Sequence, residues 1–502
     1  MSALGPIDYA VLFLYFAASL AVGLWFGRGE RTTRDFFLGG KRQHWLLAGI
    51  SIIATEVSAL TVVGVPADAF KGDWNYLQMY AGAFTGRMLI VYMLLPAFYG
   101  GDVTTVYEYL GQRFGLATRV TASLMFLASR IIGSGIRLLA ASLAVAVVFD
   151  WPLVWVVIAT AGIAIAYTTF GGIKAILWTD ALQAAIFLLG PAALDVFLLY
   201  HIPGPWTDNL SAANDAGKFK VFTWDANLNN EKSFWVLFIH ATVLNMAALG
   251  TDQDLTQRML TCPDLRRGQR SLIFNACMGL PVVCLFLLLG TVMFAFYHSR
   301  SELSLPPDVL DHTDRIVPHF IATILPTNWG LKGLLIAAIF AASMSSLSSA
   351  LGALSSTVVT DLYRPWVTRS NERHYLFVAR LATFLAGVIL AGVAIAFSGH
   401  NELLWQAFKW VGLIFGGMLG VFLLGVTTKT RGHDVINVLA MLSSTAGLVV
   451  LKGVQDSSGQ VYIAWPWWVV IGTAWTYLLA VCFRTNMWDR LSSRSNQSHQ
   501  PT

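Results

Sequence analysis

The chain has 502 residues, 56% of them hydrophobic and only 12% charged, with a formal net charge of +5. Soluble domains run near a quarter charged, so a water-soluble globular protein is excluded, and so modest a net charge gives no ground for a nucleic-acid partner. Apolar stretches of about 20 residues, enough to cross a hydrocarbon core of roughly 30 Å, recur along the whole length. They predict an all-α polytopic membrane protein, one domain of about thirteen transmembrane helices: 7–27, 45–70, 77–99, 117–149, 151–170, 175–201, 233–250, 271–298, 331–360, 375–398, 402–427, 433–452 and 465–483.

The first segment lacks a basic leader and a small-residue cleavage site, so it is expected as a retained span and not a signal peptide. The second contains "SIIATEVSALTVVGVPADAF", residues 51–70, where a helix-like start runs into Thr55, Ser58, Thr61, Gly64 and Pro66. A half-unwound helix fits that content, and its freed carbonyls can hold a cation. A proline-kinked structural helix fits it equally. Charged residues inside later spans are Arg87, Arg130, Arg137, Asp180, Asp195, Arg380 and Lys409, with Glu56 in the second. Each is expensive in a bilayer and so a candidate for function. Arg380 and Asp195 are set aside because they lie near span ends.

The stretch "AASMSSLSSALGALSS", residues 341–356, carries seven serines inside an apolar run. Ser345, Ser348 and Ser349 share one helix face. A serine hydroxyl turns back toward the carbonyl three or four residues earlier. The Ala342 carbonyl and the Ser345 and Ser346 hydroxyls can therefore converge on one point suited to a small hard cation. Close helix packing through small residues is the competing reading.

Lys and Arg alternate between loops, twenty on one set and eight on the other, with Arg258, Arg266, Arg267 and Arg270 counted among the twenty. By the positive-inside rule the N-terminus is outside and the C-terminus cytoplasmic, in a multi-pass cell (inner) membrane protein. Trp151, Trp155, Trp465, Trp467 and Trp468 are expected in the interfacial belt. Cys262, Cys277, Cys284 and Cys482 form no metal-like pair, so neither a disulfide framework nor zinc is expected. There is no phosphate-binding glycine loop and no catalytic constellation, which argues against ATP drive and against an enzyme.

Three motifs, "YTTFGGIKAILWTDALQ" at 167–183, "GTDQDLTQRML" at 250–260 and "SMSSLSSALGALSSTVVTDLY" at 343–363, resemble in order the signatures of the sodium:solute symporter family. "DVTTVYEYLGQRF" and "PADAFKGDWNY" resemble its bacterial sialic-acid branch. The resemblance implies a LeuT-type 5+5 inverted repeat, with a leading helix 7–27, repeats at 45–201 and 233–427, two trailing helices at 433–483 and a cytoplasmic tail at 484–502. The motif at 250–260 is expected after the sixth core helix. The resemblance implies sodium as the coupling ion, one or two per cycle, with no organic cofactor. Its main sodium site falls on Ala54, Val57, Ala342, Ser345 and Ser346. A second falls on Asp180, Ser345, Ser348 and Ser349.

The substrate position implied by the resemblance takes Thr55, Glu56, Ser58 and Thr61, then Gln78 or Tyr80, Arg137, Asn245 and Gln406. Where the sialic-acid branch has a carboxylate-binding arginine, this chain has Gly133, flanked by Arg130 and Arg137. Arg137 could clamp a carboxylate or be neutralised by Glu56. The implied activity is sodium-driven import of a small polar organic solute by alternating access, by a monomer in a lipid bilayer. A proton-coupled symporter of the same fold and a non-transporting membrane solute sensor are the rival readings.

Overall fold

The computed structural model describes residues 4–149, 151–300, 302–303, 305–311, 315–368, 370–398, 401–453 and 463–484, without the side chains of 401–412 and a few isolated positions. Every predicted segment falls on a helix: α1 Pro6–Phe26, the pair α2 Trp45–Glu56 and α3 Ala59–Lys71, α4 Asn75–Gly100, α5 Leu116–Phe149, α6 Leu153–His201, the pair α7 Phe234–Gly250 and α8 Gln253–Leu260, α9 Leu265–Ser299, α10 Leu331–Tyr363, α11 Glu372–Ala396, α12 Asn401–Thr427, α13 Asp434–Gly453 and α14 Trp467–Val481. Eight of these are long and apolar enough to cross a membrane alone, or ten with each bent pair taken as one crossing, and Leu413–Thr427 and Trp467–Val481 are shorter apolar helices.

Two predicted segments, 151–170 and 175–201, lie on α6, and the chain leaves helical geometry between them at Gly172, with φ 51° and ψ −155°. Glycine is required there twice over. An L side chain is strained at that φ, and a Cβ would stand 2.6 Å from Glu30 Oε2 and 2.7 Å from the Phe36 carbonyl. Replacing Gly172 with alanine should therefore lower thermal stability by about 1–3 kcal/mol. Thermal denaturation of the detergent-solubilised protein measures it.

The broken span α2/α3 bends by 60°, and its interruption is at Val57 and Ser58. The composition around Gly64 and Pro66 suggested a wider loosening, but Pro66 sits inside α3. The second bend is 64°, between α7 and α8. It corrects the expectation that 250–260 trails the helix. Those residues are its second half, with Asp252 capping α8 by accepting from the Asp254 N–H, and all of α8 is buried. Arg258 is thus a buried residue, 1% exposed, and drops out of the loop-charge count.

The serine-bearing helix α10 is the central rod of the bundle. In its apolar window 94% of residues are buried, against 22% for the peripheral α1. It packs most heavily on α6 and also against α5, α11 and α2. α1 is pinned to its start by Asp8, fully buried, which accepts from the backbone N–H groups of Gly5 (3.0 Å), Asn328 (2.9 Å) and Gly333 (3.3 Å). The hydroxyls are what let so polar a helix lie at the centre. Ser348 and Ser349 bond the Ser345 carbonyl at 3.1 and 2.5 Å, and Ser356 the Ala353 carbonyl at 3.0 Å. Ser355 reaches Ala379 O of α11 at 2.7 Å. A buried polar group without such a partner would cost stability.

Candidate functional site

Where α2 ends, it faces α10. Ser345 and Ser346 do not turn back on their own helix as expected. The Ser345 hydroxyl donates across to the Ala54 carbonyl, and the Ser346 hydroxyl to Thr55 O at 3.4 Å. Ala54, Val57, Ala342, Ser345 and Ser346 are all buried. Of the predicted main sodium set, Ala54, Ser345 and Ser346 are therefore brought together where α2 meets α10, with Val57 at the helix break and Ala342 one turn earlier on α10. Each hydroxyl spans the gap that a cation would enter, and its oxygen has lone pairs left to ligate one. Ser346→Ala should raise the sodium concentration for half-maximal transport several-fold yet leave thermal stability nearly unchanged, because the bond it removes is long and weak. Sodium titration of uptake beside a melting curve separates the two effects.

One turn further along α10, Asp180 and Ser349 of the second predicted set meet an unpredicted cation, while Ser348 bonds the Ser345 carbonyl. Asp180 Oδ2 accepts from Ser51 Oγ at 2.5 Å, and Ser51 Oγ in turn accepts from Arg258 Nε at 2.8 Å. Arg258 Nη2 donates to the Ser349 hydroxyl and lies 3.4 Å from Asp180 Oδ2. Thr55 Oγ1 completes the group, 3.0 Å from Ser349 Oγ. Asp180 is fully buried, and its Oδ1 has no hydrogen-bond partner among the described residues. An orphaned carboxylate oxygen in a buried cluster of hydroxyls fits a monovalent cation on chemical grounds.

Arg258 also holds Asp254, through Nη1 to Oδ1 at 3.2 Å and to its carbonyl. The other oxygen of Asp254 lies 3.0 Å from Arg130 Nη1, as an ion pair without hydrogen-bond geometry, and Arg130 Nη2 pairs with Asp252. One chain of charge therefore runs Asp180–Arg258–Asp254–Arg130–Asp252. Three carboxylates face two guanidiniums.

Arg130, Asp252 and Asp254 at the far end of this chain line a central cavity of about 620 Å³. Thr55, Glu56, Thr61, Tyr80, Arg137 and Asn245, from the predicted substrate set, line it too, as do Val57 and Gly133. Ser58 and Gln78 do not. Ser58 caps α3, its N–H 3.3 Å from Thr61 Oγ1. Gln78 is buried and spends its amide on Asn75 Oδ1 (2.5 Å), Lys232 O (2.8 Å) and the Thr223 N–H (3.3 Å), fastening the 218–234 segment to α4. Gln406 is on α12, and its side chain is outside the described residues.

Glu56 pairs with Arg87 at 2.8 Å and accepts from Asn275 Nδ2 at 2.6 Å, so it does not neutralise Arg137. Arg137 faces the cavity with no hydrogen bond or ion pair among the described residues. Trp465 and Trp468, expected in the belt, have a second environment. Both line the cavity, with Trp465 set edge-on to His240, whose Nδ1 lies 2.8 Å from Pro466 O. Trp151 and Trp155 stay on the surface, 56% and 66% exposed.

Asp252, Asp254, Arg258 and Ser51 were missed, and Arg87, already a candidate by its charge, was not linked to Glu56. Residues 250–260 are polar, so hydropathy reads them as a loop. Two signals were there to be used: Asp252 as a helix cap and the Asp254/Arg258 pair at i, i+4.

The sodium:solute symporter family matches residues 36–432. The sodium/sialic acid symporter SiaT of Proteus mirabilis is 31% identical over 88% of this chain and 90% of its own. The corresponding NanT of Aliivibrio fischeri is 29% identical over 96% and 94%. A solved structure of a sodium-coupled sialic acid symporter, in its substrate-bound outward-open state, superposes with a TM-score of 0.85 and 29% identity over 95% of this chain and 97% of that one. The chain belongs to the sodium:solute symporter family, as a LeuT-type, sodium-driven membrane symporter of a small polar organic solute.

Proposed function

We propose that the transported solute is a small carboxylate, an acidic sugar of the sialic-acid class, held by Arg137 in the central cavity. The observation that carries this reading is the Arg137 guanidinium, which faces that cavity with no hydrogen bond or ion pair among the described residues, whereas Glu56, Arg87, Arg130, Asp252 and Asp254 beside it are all paired. A guanidinium grips a carboxylate through two parallel hydrogen bonds. The cavity, at about 620 Å³, is within the range of roughly 300–1,000 Å³ usual for small ligands. The similar bacterial proteins are sialic-acid symporters, which supports the class. Thr55, Thr61, Tyr80 and Asn245 supply polar contacts around the ring. Glu56 acts indirectly, as the anchor of Arg87.

Ala54, Val57, Ala342, Ser345 and Ser346 hold one sodium, and Asp180, Ser345, Ser348 and Ser349 a second. Sodium bridging α10 and the α2/α3 break steadies the backbone against which the solute docks, and the bundle then rocks to release both on the other side. The solute leaves chemically unchanged. The repeats are residues 45–201 and 233–427 within thirteen crossings of the inner membrane by a monomer, N-terminus outside. The loop-charge bias supports that orientation even without Arg258.

A thermal-shift comparison tests the solute class, because a ligand stabilises the state it binds. Sialic acid should raise the melting temperature in sodium and not in choline, and a neutral hexose should do so in neither. An equal shift from the hexose would remove the carboxylate from the account.

A further inference from the structure

We infer that Arg258 is a built-in competitor of sodium, a tethered cation that occupies the second sodium position until the ion displaces it. The inference rests on Asp180, Ser348 and Ser349 being that position. Arg258 donates to the Ser349 hydroxyl and lies against Asp180 Oδ2, so it shares the hydroxyl and the carboxylate group that sodium would use even though Asp180 Oδ1 has no hydrogen-bond partner among the described residues. Ser349 uses its own proton on the Ser345 carbonyl, so what it offers to Arg258 is a lone pair, the same one a cation would take. Two cations drawing on one carboxylate and one hydroxyl in a buried site repel each other strongly, so they compete for this position. The guanidinium must give it up as sodium arrives.

The structure provides the place for it to go. Nη1 of Arg258 is already on Asp254, on its carboxylate and its carbonyl, in the first turns of the same short helix. Release from Asp180 leaves Arg258 with Asp254 as its only carboxylate among the described residues, beside its bond to Ser51, and the second oxygen of Asp254 is the one beside Arg130. A stronger claim by Arg258 on Asp254 loosens its hold on Arg130 at the cavity floor. Sodium at Asp180 is thereby felt where the solute docks, and by linkage the solute is felt by sodium.

Calorimetric sodium titration of the purified full chain, at constant ionic strength with choline as the replacement, tests this. Arg258→Gln should bind the second sodium about tenfold more tightly than the unaltered protein, because the competing charge is gone. Millimolar free guanidinium added to that variant should return the affinity toward its original value, a rescue that a purely structural arginine would not show. Unchanged or weaker second-ion affinity in Arg258→Gln overturns the inference. Should that variant fail to fold, Arg258→Lys serves. It keeps the charge and loses the fork that spans Ser51 and Ser349, so it should bind the second sodium several-fold more tightly, and equal or weaker binding again overturns the inference. Asp180→Asn in the same titration should lose the second ion. If it still binds two, the site reading itself has failed, an outcome distinct from failure of the competition alone.

Discussion

Asp180→Asn should make transport electrically silent. Two sodium ions carried with one carboxylate move one net positive charge per cycle, and the membrane potential contributes about 2.3 kcal/mol per 100 mV to each such charge. Without the Asp180 carboxylate the second sodium loses its only anionic ligand. One sodium with one carboxylate carries no net charge. The accumulation ratio at 100 mV should then fall by roughly 40-fold, since each 1.4 kcal/mol is a factor of ten. Asparagine keeps the side-chain shape, and Arg258 keeps Asp254 as partner, so the fold should survive. Solute-induced current in proteoliposomes, recorded beside labelled-solute uptake, gives the result. Persisting current with an unaltered ratio would leave Asp180 a structural residue.

Arg137→Ala should cost about 1.5–3 kcal/mol of solute binding, the worth of hydrogen bonds to a charged group, or roughly 10- to 100-fold in affinity. Arg137→Lys should recover only part of it, because an ammonium cannot make the two parallel bonds of a guanidinium. Neither change should lower stability much, since the side chain has no hydrogen bond or ion pair to lose among the described residues. Sodium affinity without solute should stay as it was. Competition binding against the methyl ester of the same acid sharpens the test. The ester should bind the unaltered protein weakly and lose little more in Arg137→Ala. Equal loss for acid and ester would place Arg137 in the wall of the cavity and not on the carboxylate.

What was legible in the sequence was what apolar periodicity and the family motifs encode. The helices follow from patterns long enough to be read, and an interrupted second span was one of two readings of its composition, whereas the meeting of Ser345 and Ser346 with α2 was implied by the family resemblance and not by hydroxyl spacing. The direction of the serine hydroxyls was not legible, because back-bonding within α10 and reaching across to Ala54 and Thr55 differ only by a rotamer. Nor was the partner of Arg137. Glu56 and Arg137 are opposite charges on neighbouring core helices, and only the three-dimensional placement of Arg87 and Asn275 shows that Glu56 is already satisfied. The largest omission was α8. Its residues are polar because they satisfy one another in a buried network, and hydropathy cannot tell that from a wet loop. Trp465 and Trp468 show the same limit from the apolar side, since an aromatic near a span end can face lipid or a cavity.

The central claim is that sodium drives accumulation of a carboxylate through this cavity. Uptake of labelled sialic acid into proteoliposomes, with the sodium gradient and the pH gradient imposed separately, tests it most directly. The account predicts accumulation above the outside concentration with an inward sodium gradient at equal pH, and none with a pH gradient in sodium-free choline. Accumulation driven by the pH gradient alone, indifferent to sodium, would contradict it.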